Sequence, residues 1–407
     1  MARQWNGIGR CFPWASGADG CWPGFRLRPW VVPLLALVVA PLLAHGAAPE
    51  PGGAALRIVA PVERAVVQRH DRDGGAIPVE VRADVPEAGA IEARVALAND
   101  APWHTLTRKG ETFTGLLAAP AGGWHRVEVR SVVEGAVTGR ATVERVGIGE
   151  VFVVAGQSNS ANHGEERLAP ATDRVVALAP EGVWRVAADP QPGASGDGGS
   201  FLPALGDRLE AELNVPIGLV ACGIGATSVR EWLPEGSRFP APPTLTARVR
   251  PVAGGGFESD GAAFAMLVGR MKQLEPTGFR AVLWHQGESD ANQQDLSRTL
   301  PGPLYEAMLE RVIRATRAEV GHQHPWFVAR ATYHVPGDES STDIRAAQAA
   351  VCRDGLALPG PDTDRLTGPL RDSGGRGVHF SGAGQRRHAE AWFTAVAPWL
   401  EARLTAP

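Results

Sequence analysis

Apolar and polar positions fall into two regimes along this chain. From about Ala55 to Val146, apolar residues alternate with polar ones in short runs: Leu56–Val59, Val79–Val85, Ile91–Leu97, Trp124–Val132 and Ala141–Val146. Clusters such as Asp71-Arg-Asp-Gly-Gly75 and Ala118-Ala-Pro-Ala-Gly-Gly123 break them. A period of two with turn residues at this spacing predicts a small antiparallel β-sandwich over residues 55–147. No acid, base and nucleophile gather there, so the expected role is structural or carbohydrate-facing. From Val151 onward the pattern changes. The apolar runs Val151–Ala155, Ile217–Ala221, Ala281–Trp284 and Trp326–Ala329 read as buried strands. Helical stripes lie between them: Leu202, Leu205, Leu209 and Leu213, then Leu304, Met308, Val312 and Ala315, closed by Gly321. A last helix is expected from a Ser381 N-cap towards Leu404. This alternation predicts an α/β domain over residues 150–405, with a parallel sheet covered by helices on both faces. In such sheets ligands bind beyond the carboxyl ends of the strands.

The first 48 residues stand apart. Val31 to Ala44 is an uncharged apolar run, preceded by Arg26 and Arg28 and followed by Ala44, Gly46, Ala47 and Ala48. At about signal-peptide length, and short of the roughly 20 residues a membrane helix needs, it reads as a leader cleaved near Ala47 or Ala48. The mature protein is expected to be secreted or periplasmic, touching a membrane only if the leader is retained as an anchor. Over all 407 residues the 44% hydrophobic, 21% charged composition is that of a globular protein, and 49 glycines with 33 prolines call for many loops. A net charge of −4 leaves no basic footprint for nucleic acid. Cys222 and Cys352 follow the leader and can form one disulfide or stay as two buried thiols. No Cys or His spacing matches a zinc site, and His322 with His324 reads as loop surface. The glycine-rich stretches Asp189–Ser200 and Pro251–Gly261 lack the strand–helix context of a dinucleotide site and read as loops that rim the site.

Four segments carry candidate chemistry. Gly156-Gln-Ser158 ends the first strand, which places the Ser158 hydroxyl above the sheet where a helical turn begins. Ala221-Cys-Gly-Ile-Gly-Ala-Thr-Ser-Val-Arg-Glu-Trp232 follows the second, Trp284-His-Gln-Gly-Glu288 the third, and Gly377-Val-His-Phe-Ser381 precedes the last helix. Acyl transfer from a serine needs a hydroxyl, a base, donors for the tetrahedral oxyanion and a group that orients the base. His379 is the candidate base. The Ser158 N–H, the Gly225 N–H and the Gln286 side-chain amide are the candidate oxyanion donors. Asp290 is expected to cap the turn after Glu288, and Arg345 with Gln348 to form a polar helix face.

Together these segments resemble the SGNH hydrolases, in the branch of sialate O-acetylesterases and acetylxylan esterases. Gly156-Gln-Ser-Asn159 is similar to the nucleophile block, the segment around Gly225 to the oxyanion-glycine block, Trp284-His-Gln-Gly-Glu288 to the third block, and Val378-His-Phe-Ser381 to the histidine block. The resemblance implies a three-layer, flavodoxin-like SGNH-hydrolase domain and a carbohydrate O-acetylesterase acting through a serine acyl-enzyme on an acetylated carbohydrate, with no metal or organic cofactor. One position departs from the family: Arg376 stands three residues before His379, where an aspartate is usual. Two carboxylates can take its place, Glu288 from the third block or Asp372, seven residues before His379, and the expectation favours Glu288. Two other readings remain, a non-catalytic glycan-binding protein on the same fold and a serine esterase for a non-carbohydrate ester.

Overall fold

A single strand, Ala136–Gly156, joins the two regimes. Its first ten residues are exposed or half-buried and pair antiparallel with Gly122–Val133, while every residue from Val146 onward is buried. Beyond Val146 it becomes the central strand of a parallel sheet. The expected boundary near residues 147–150 therefore falls inside unbroken backbone. The computed structural model describes residues 56–86, 89–98, 100–291 and 297–405, and the leader lies outside them.

In the N-terminal part, Leu56–Ala60, Gly74–Ala83, Thr112–Pro120 and Thr107–Lys109 form one antiparallel sheet. In the other sheet Ala90–Val95 pairs antiparallel with Gly122–Val133, which in turn pairs with the first half of the long strand. Inward residues of both, among them Val67, Ile77, Val81, Ile91, Phe113, Val127 and Ile148, make one buried apolar cluster. At the junction, fully buried Glu150 accepts hydrogen bonds from Arg69 (2.6 Å), Arg280 (2.6 Å) and Gln68 (2.9 Å). A carboxylate can be buried this deeply because cations and donors surround it.

The parallel strands run in the order Val175–Leu178, Ile217–Ala221, Ala136–Gly156, Ala281–His285, Trp326–Arg330, Leu358–Asp362. Trp184–Val186 adds antiparallel at the outer edge. Side chains alternate across the central strand. Val151, Val153 and Ala155 join one cluster with residues of the helices Ala262–Lys272, Gly302–Val320 and Thr342–Arg353. Phe152 and Val154 join the other with residues of Leu202–Leu213 and Gly382–Thr405. The result is three layers. After its central strand the chain fills one side of the sheet, then crosses to Ala281–His285 on the other, so the strand order reverses beside Gly156. A crevice opens beyond the strand ends at such a switch point.

Two expectations need correction. Leu304 is 37% exposed, and the buried face of its helix is Tyr305, Met308, Leu309, Val312 and Ile313. The Tyr305 hydroxyl donates to the Gln286 carbonyl at 2.8 Å, which turns the neighbouring position inward. His324 is not loop surface: it is buried with its ring 5.0 Å from that of Phe279, and burial pushes it down to about 3.

Candidate active site

The central strand ends because Gly156 adopts φ +129°, and a Cβ there would lie 2.0 Å from the His285 carbonyl oxygen. Only glycine lets the two strand ends approach so closely and turn so sharply. The chain then enters a single 3₁₀ turn, Ser158–Ser160, whose preceding residue Gln157 provides no side-chain cap. The Ser158 N–H thus opens a helical turn, a position with no acceptor inside the turn. Ser158 itself is 6% exposed.

The four segments are bound to one another by named contacts. Asn159 Nδ2 donates to Glu288 Oε1 (3.1 Å) and to the Val378 carbonyl (3.2 Å), linking the first, third and fourth. Gln157 Oε1 accepts from the Gly287 and Ser289 N–H groups at 3.3 and 3.0 Å. The Ile224 N–H donates to the Gly156 carbonyl at 2.9 Å, which holds the second segment against the first. Asp290 does more than cap a turn. Fully buried, it accepts from Ser228 Oγ (2.5 Å), the Val229 N–H (2.8 Å) and Gln286 Nε2 (2.7 Å), and pairs with Arg230 at 3.3 Å.

The carboxylate beside His379 is Asp372, not Glu288. Asp372 Oδ2 lies 3.7 Å from His379 Nδ1, and its Oδ1 accepts the His379 N–H at 3.2 Å. The loop between them makes this possible. Ser373, Gly374 and Gly375 all take positive φ (54°, 68° and 85°), curling the backbone back so that the Asp372 N–H donates to the His379 carbonyl at 3.0 Å. The Arg376 and Gly377 N–H groups close on the Asp372 carbonyl at 3.2 and 3.0 Å. A seven-residue spacing thereby delivers a carboxylate that the family usually supplies from three residues away. Burial pushes the His379 imidazole below its ordinary value, with the negative charges of Asp372 and then Glu288 pulling the other way.

Glu288 belongs to a deeper array. Its Oε1 lies 3.1 Å from His285 Nε2, and His285 Nδ1 lies 3.0 Å from His388 Nε2. Trp392 Nε1 donates to that same His388 nitrogen at 2.9 Å, so that nitrogen is an acceptor. Burial alone would raise the Glu288 carboxyl, but His285 and Asn159 outweigh it and hold the group below its ordinary value. Burial drives fully buried His388 well below the usual histidine range.

Two of the expected oxyanion donors are already engaged. Gln286 is completely buried, and its Nε2 faces Asp290 Oδ2 (2.7 Å), the Thr227 carbonyl (3.1 Å) and Gln157 Oε1 (3.3 Å). An amide has two hydrogens, so three protein acceptors take both, and Gln286 acts here as a tie between strand ends. The Gly225 N–H donates to Ser195 Oγ at 2.7 Å. Ser195 and His163 escaped the sequence reading. His163 stacks on His379 with ring centroids 5.3 Å apart, and its Nε2 lies 3.2 Å from Ser195 Oγ. Burial, then the neighbouring His379, push the His163 imidazole below its ordinary value, and Asp197 opposes them. The only sequence hint was that Ser195 sits in the glycine-rich stretch expected to rim the site.

The remaining expectations resolve as supports. Gln348 Nε2 donates to the Gln286 carbonyl at 3.0 Å, and Arg345 pairs with Asp362 (2.7 Å), the final residue of the last strand, and with Asp364 (2.6 Å) in the turn after it. Cys222 and Cys352 are both free thiols, pushed by burial up to about 12 and about 11.

A three-layer fold with three of these blocks at the ends of its parallel strands and the fourth leading into its last helix defines an SGNH-like esterase. A family model described as carbohydrate esterase, sialic acid-specific acetylesterase, matches residues 148–390, more than half of the chain, and the chain belongs to that family. Among solved structures, a carbohydrate acetylesterase from Xanthomonas citri is similar at 20% identity and TM-score 0.56, over 84% of this chain and 74% of that one. A protein of Arabidopsis thaliana is 17% identical with TM-score 0.42, over 62% of this chain and 98% of that one. At these identities the likeness to the first concerns the fold. No curated protein matches the chain.

Proposed function

We propose that this carbohydrate esterase removes acetyl groups from sugar hydroxyls through an acyl-enzyme on Ser158. The observation that carries the reading is the convergence of three features. Ser158 opens a turn at the end of the central strand, His379 lies on a loop tied to that turn through Asn159 and Val378, and Asp372 lies against the far nitrogen of the imidazole. In the forward step Ser158 Oγ attacks the acetyl carbonyl carbon while His379 Nε2 takes the hydroxyl proton. The tetrahedral intermediate collapses, the carbon–oxygen bond to the sugar breaks, and His379 returns the proton to the departing hydroxyl. Water, deprotonated by the same nitrogen, then attacks the acyl-enzyme and releases acetate and Ser158. Asp372 steadies the imidazolium present in both transition states, a role that survives a change in its sequence position because it depends on geometry alone.

A half-buried imidazole held below its ordinary value is unprotonated near neutral pH, as a general base must be. We read the N-terminal sheets as an accessory β-sandwich and residues 1–48 as an export leader, which would place the enzyme where polymeric acetylated glycans are met. The test is hydrolysis of a chromogenic acetyl ester and acetate release from acetylated xylan and O-acetyl sialic acid by purified protein and its Ser158→Ala variant. Activity that vanishes in the variant supports the reading. A folded parent protein inactive on all three substrates, or a Ser158→Ala variant as active as the parent, sinks it.

A further inference from the structure

We infer that the hydroxyl of Ser195 is the second oxyanion donor, placed by Gly225 and His163 in the role the sequence pattern assigns to Gln286. This deepens the serine-esterase reading and rests on it.

Ser195 is fixed on both sides by backbone bonds. Its N–H donates to the Gly223 carbonyl and its carbonyl accepts from the Asn162 N–H, both at 2.9 Å. It is thereby fastened between the chain leaving Ser158 and the glycine turn of the second block. Most residues around the strand ends are fully buried, whereas His163, Ser195, Gly225 and His379 are each only half-buried. They form the part of the site that solvent and substrate can reach.

The hydrogen inventory decides what the hydroxyl can do. Ser195 Oγ accepts from the Gly225 N–H at 2.7 Å, so that N–H points at the hydroxyl. The hydroxyl has one hydrogen of its own. His163 Nε2, at 3.2 Å, either accepts that hydrogen or donates a second one to Oγ. In the first case the hydrogen rests on a neutral imidazole and transfers readily to the stronger acceptor, a developing alkoxide. In the second it is held by neither of these two groups and is available to a substrate oxygen. Either way the Gly225 N–H polarises the hydroxyl, as linked hydrogen bonds do, and reaches the oxyanion through it. A Cβ at 225 would come within 2.6 Å of His163 Nε2, so any side chain there would push the His163 ring from its place. Gln286 has no hydrogen left for the task.

The test compares Ser195→Ala, Ser195→Thr and Ser158→Ala on a chromogenic acetyl ester, with a fluorophosphonate as active-site label. Ser195→Ala is expected to lower kcat about 10²-fold, the low end for loss of one oxyanion donor. KM should change little, since the donor acts on charge present only in the transition state. Phosphonylation of Ser158, which expels fluoride, should slow in parallel, because negative charge builds on the phosphoryl oxygen at the oxyanion position in its transition state. Ser195→Thr, which keeps a hydroxyl, should recover most of the loss. Three results overturn the assignment: Ser195→Ala as active as the parent, Ser195→Ala faster because the hydroxyl only blocked Gly225, or the label on Ser195. Each of these, with Ser158→Ala inactive, leaves the esterase reading intact. Activity retained in Ser158→Ala defeats that reading instead.

Discussion

Asp372→Asn tests how the base is oriented, because it keeps the side-chain shape and removes the charge. Asp372 Oδ2 and His379 Nδ1 are 3.7 Å apart, with side chains 21% and 26% exposed. Unit charges at that distance attract by about 4 kcal/mol at an effective dielectric of roughly 20. Solvent at a quarter-exposed pair cuts the useful part to about 2 kcal/mol, which is roughly thirty-fold in rate at 1.36 kcal/mol per tenfold. We expect kcat/KM to fall by that factor, with KM little changed. The pH profile adds a signature. The acid limb reports loss of the His379 proton and should lie on the acid side of the ordinary histidine value, about 6.5, because burial lowers this group. Asp372 pulls the value upward, so Asp372→Asn should move the limb further to lower pH while the plateau drops. The assay is initial-rate hydrolysis of a chromogenic acetyl ester across pH, beside Glu288→Gln. If Asp372→Asn stays within about twofold of the parent and Glu288→Gln loses the thirty-fold, orientation passes back to Glu288 and the reasoning fails.

Three further outcomes follow from the packing. Glu150→Ala strands the Arg69 and Arg280 guanidiniums in the junction and should cost about 3–5 kcal/mol in chemical denaturation, as breaking a buried ion pair does; a change within error would mean the clamp is solvated. Gly156→Ala forces a Cβ to within 2.0 Å of the His285 carbonyl at positive φ, so soluble yield or Tm should fall sharply and activity with it. Gln286→Ala should lower stability by about 1–3 kcal/mol, because Asp290 and the Thr227 carbonyl lose a buried donor. A loss of 10²–10³ in kcat with unchanged stability would instead make Gln286 an oxyanion donor.

The parallel strands of the site were legible because buried strands are continuous apolar runs. Ile217–Ala221 emerged with its bounds intact, and Ala281–His285 and Trp326–Arg330 each extend one residue beyond the expected run. Leu358–Asp362 escaped because its sequence, Leu-Pro-Gly-Pro-Asp, reads as a loop; at a sheet edge prolines are tolerated since fewer N–H groups are needed there. Ser158 and His379 stood out as candidates because each stands beside a local signal, a strand end or a helix cap. The sequence alone thus determined the layers, the nucleophile candidate and the base candidate, since periodicity and punctuation are local properties of a chain. Tertiary structure decided the partners. Three consecutive positive-φ residues return Asp372 to His379, burial engages the Gln286 amide elsewhere, and a distant glycine-rich loop delivers Ser195 to Gly225. Such contacts, whether seven residues apart as for Asp372 and His379 or thirty as for Ser195 and Gly225, are set by how loops close in space, and spacing along the chain carries no record of that.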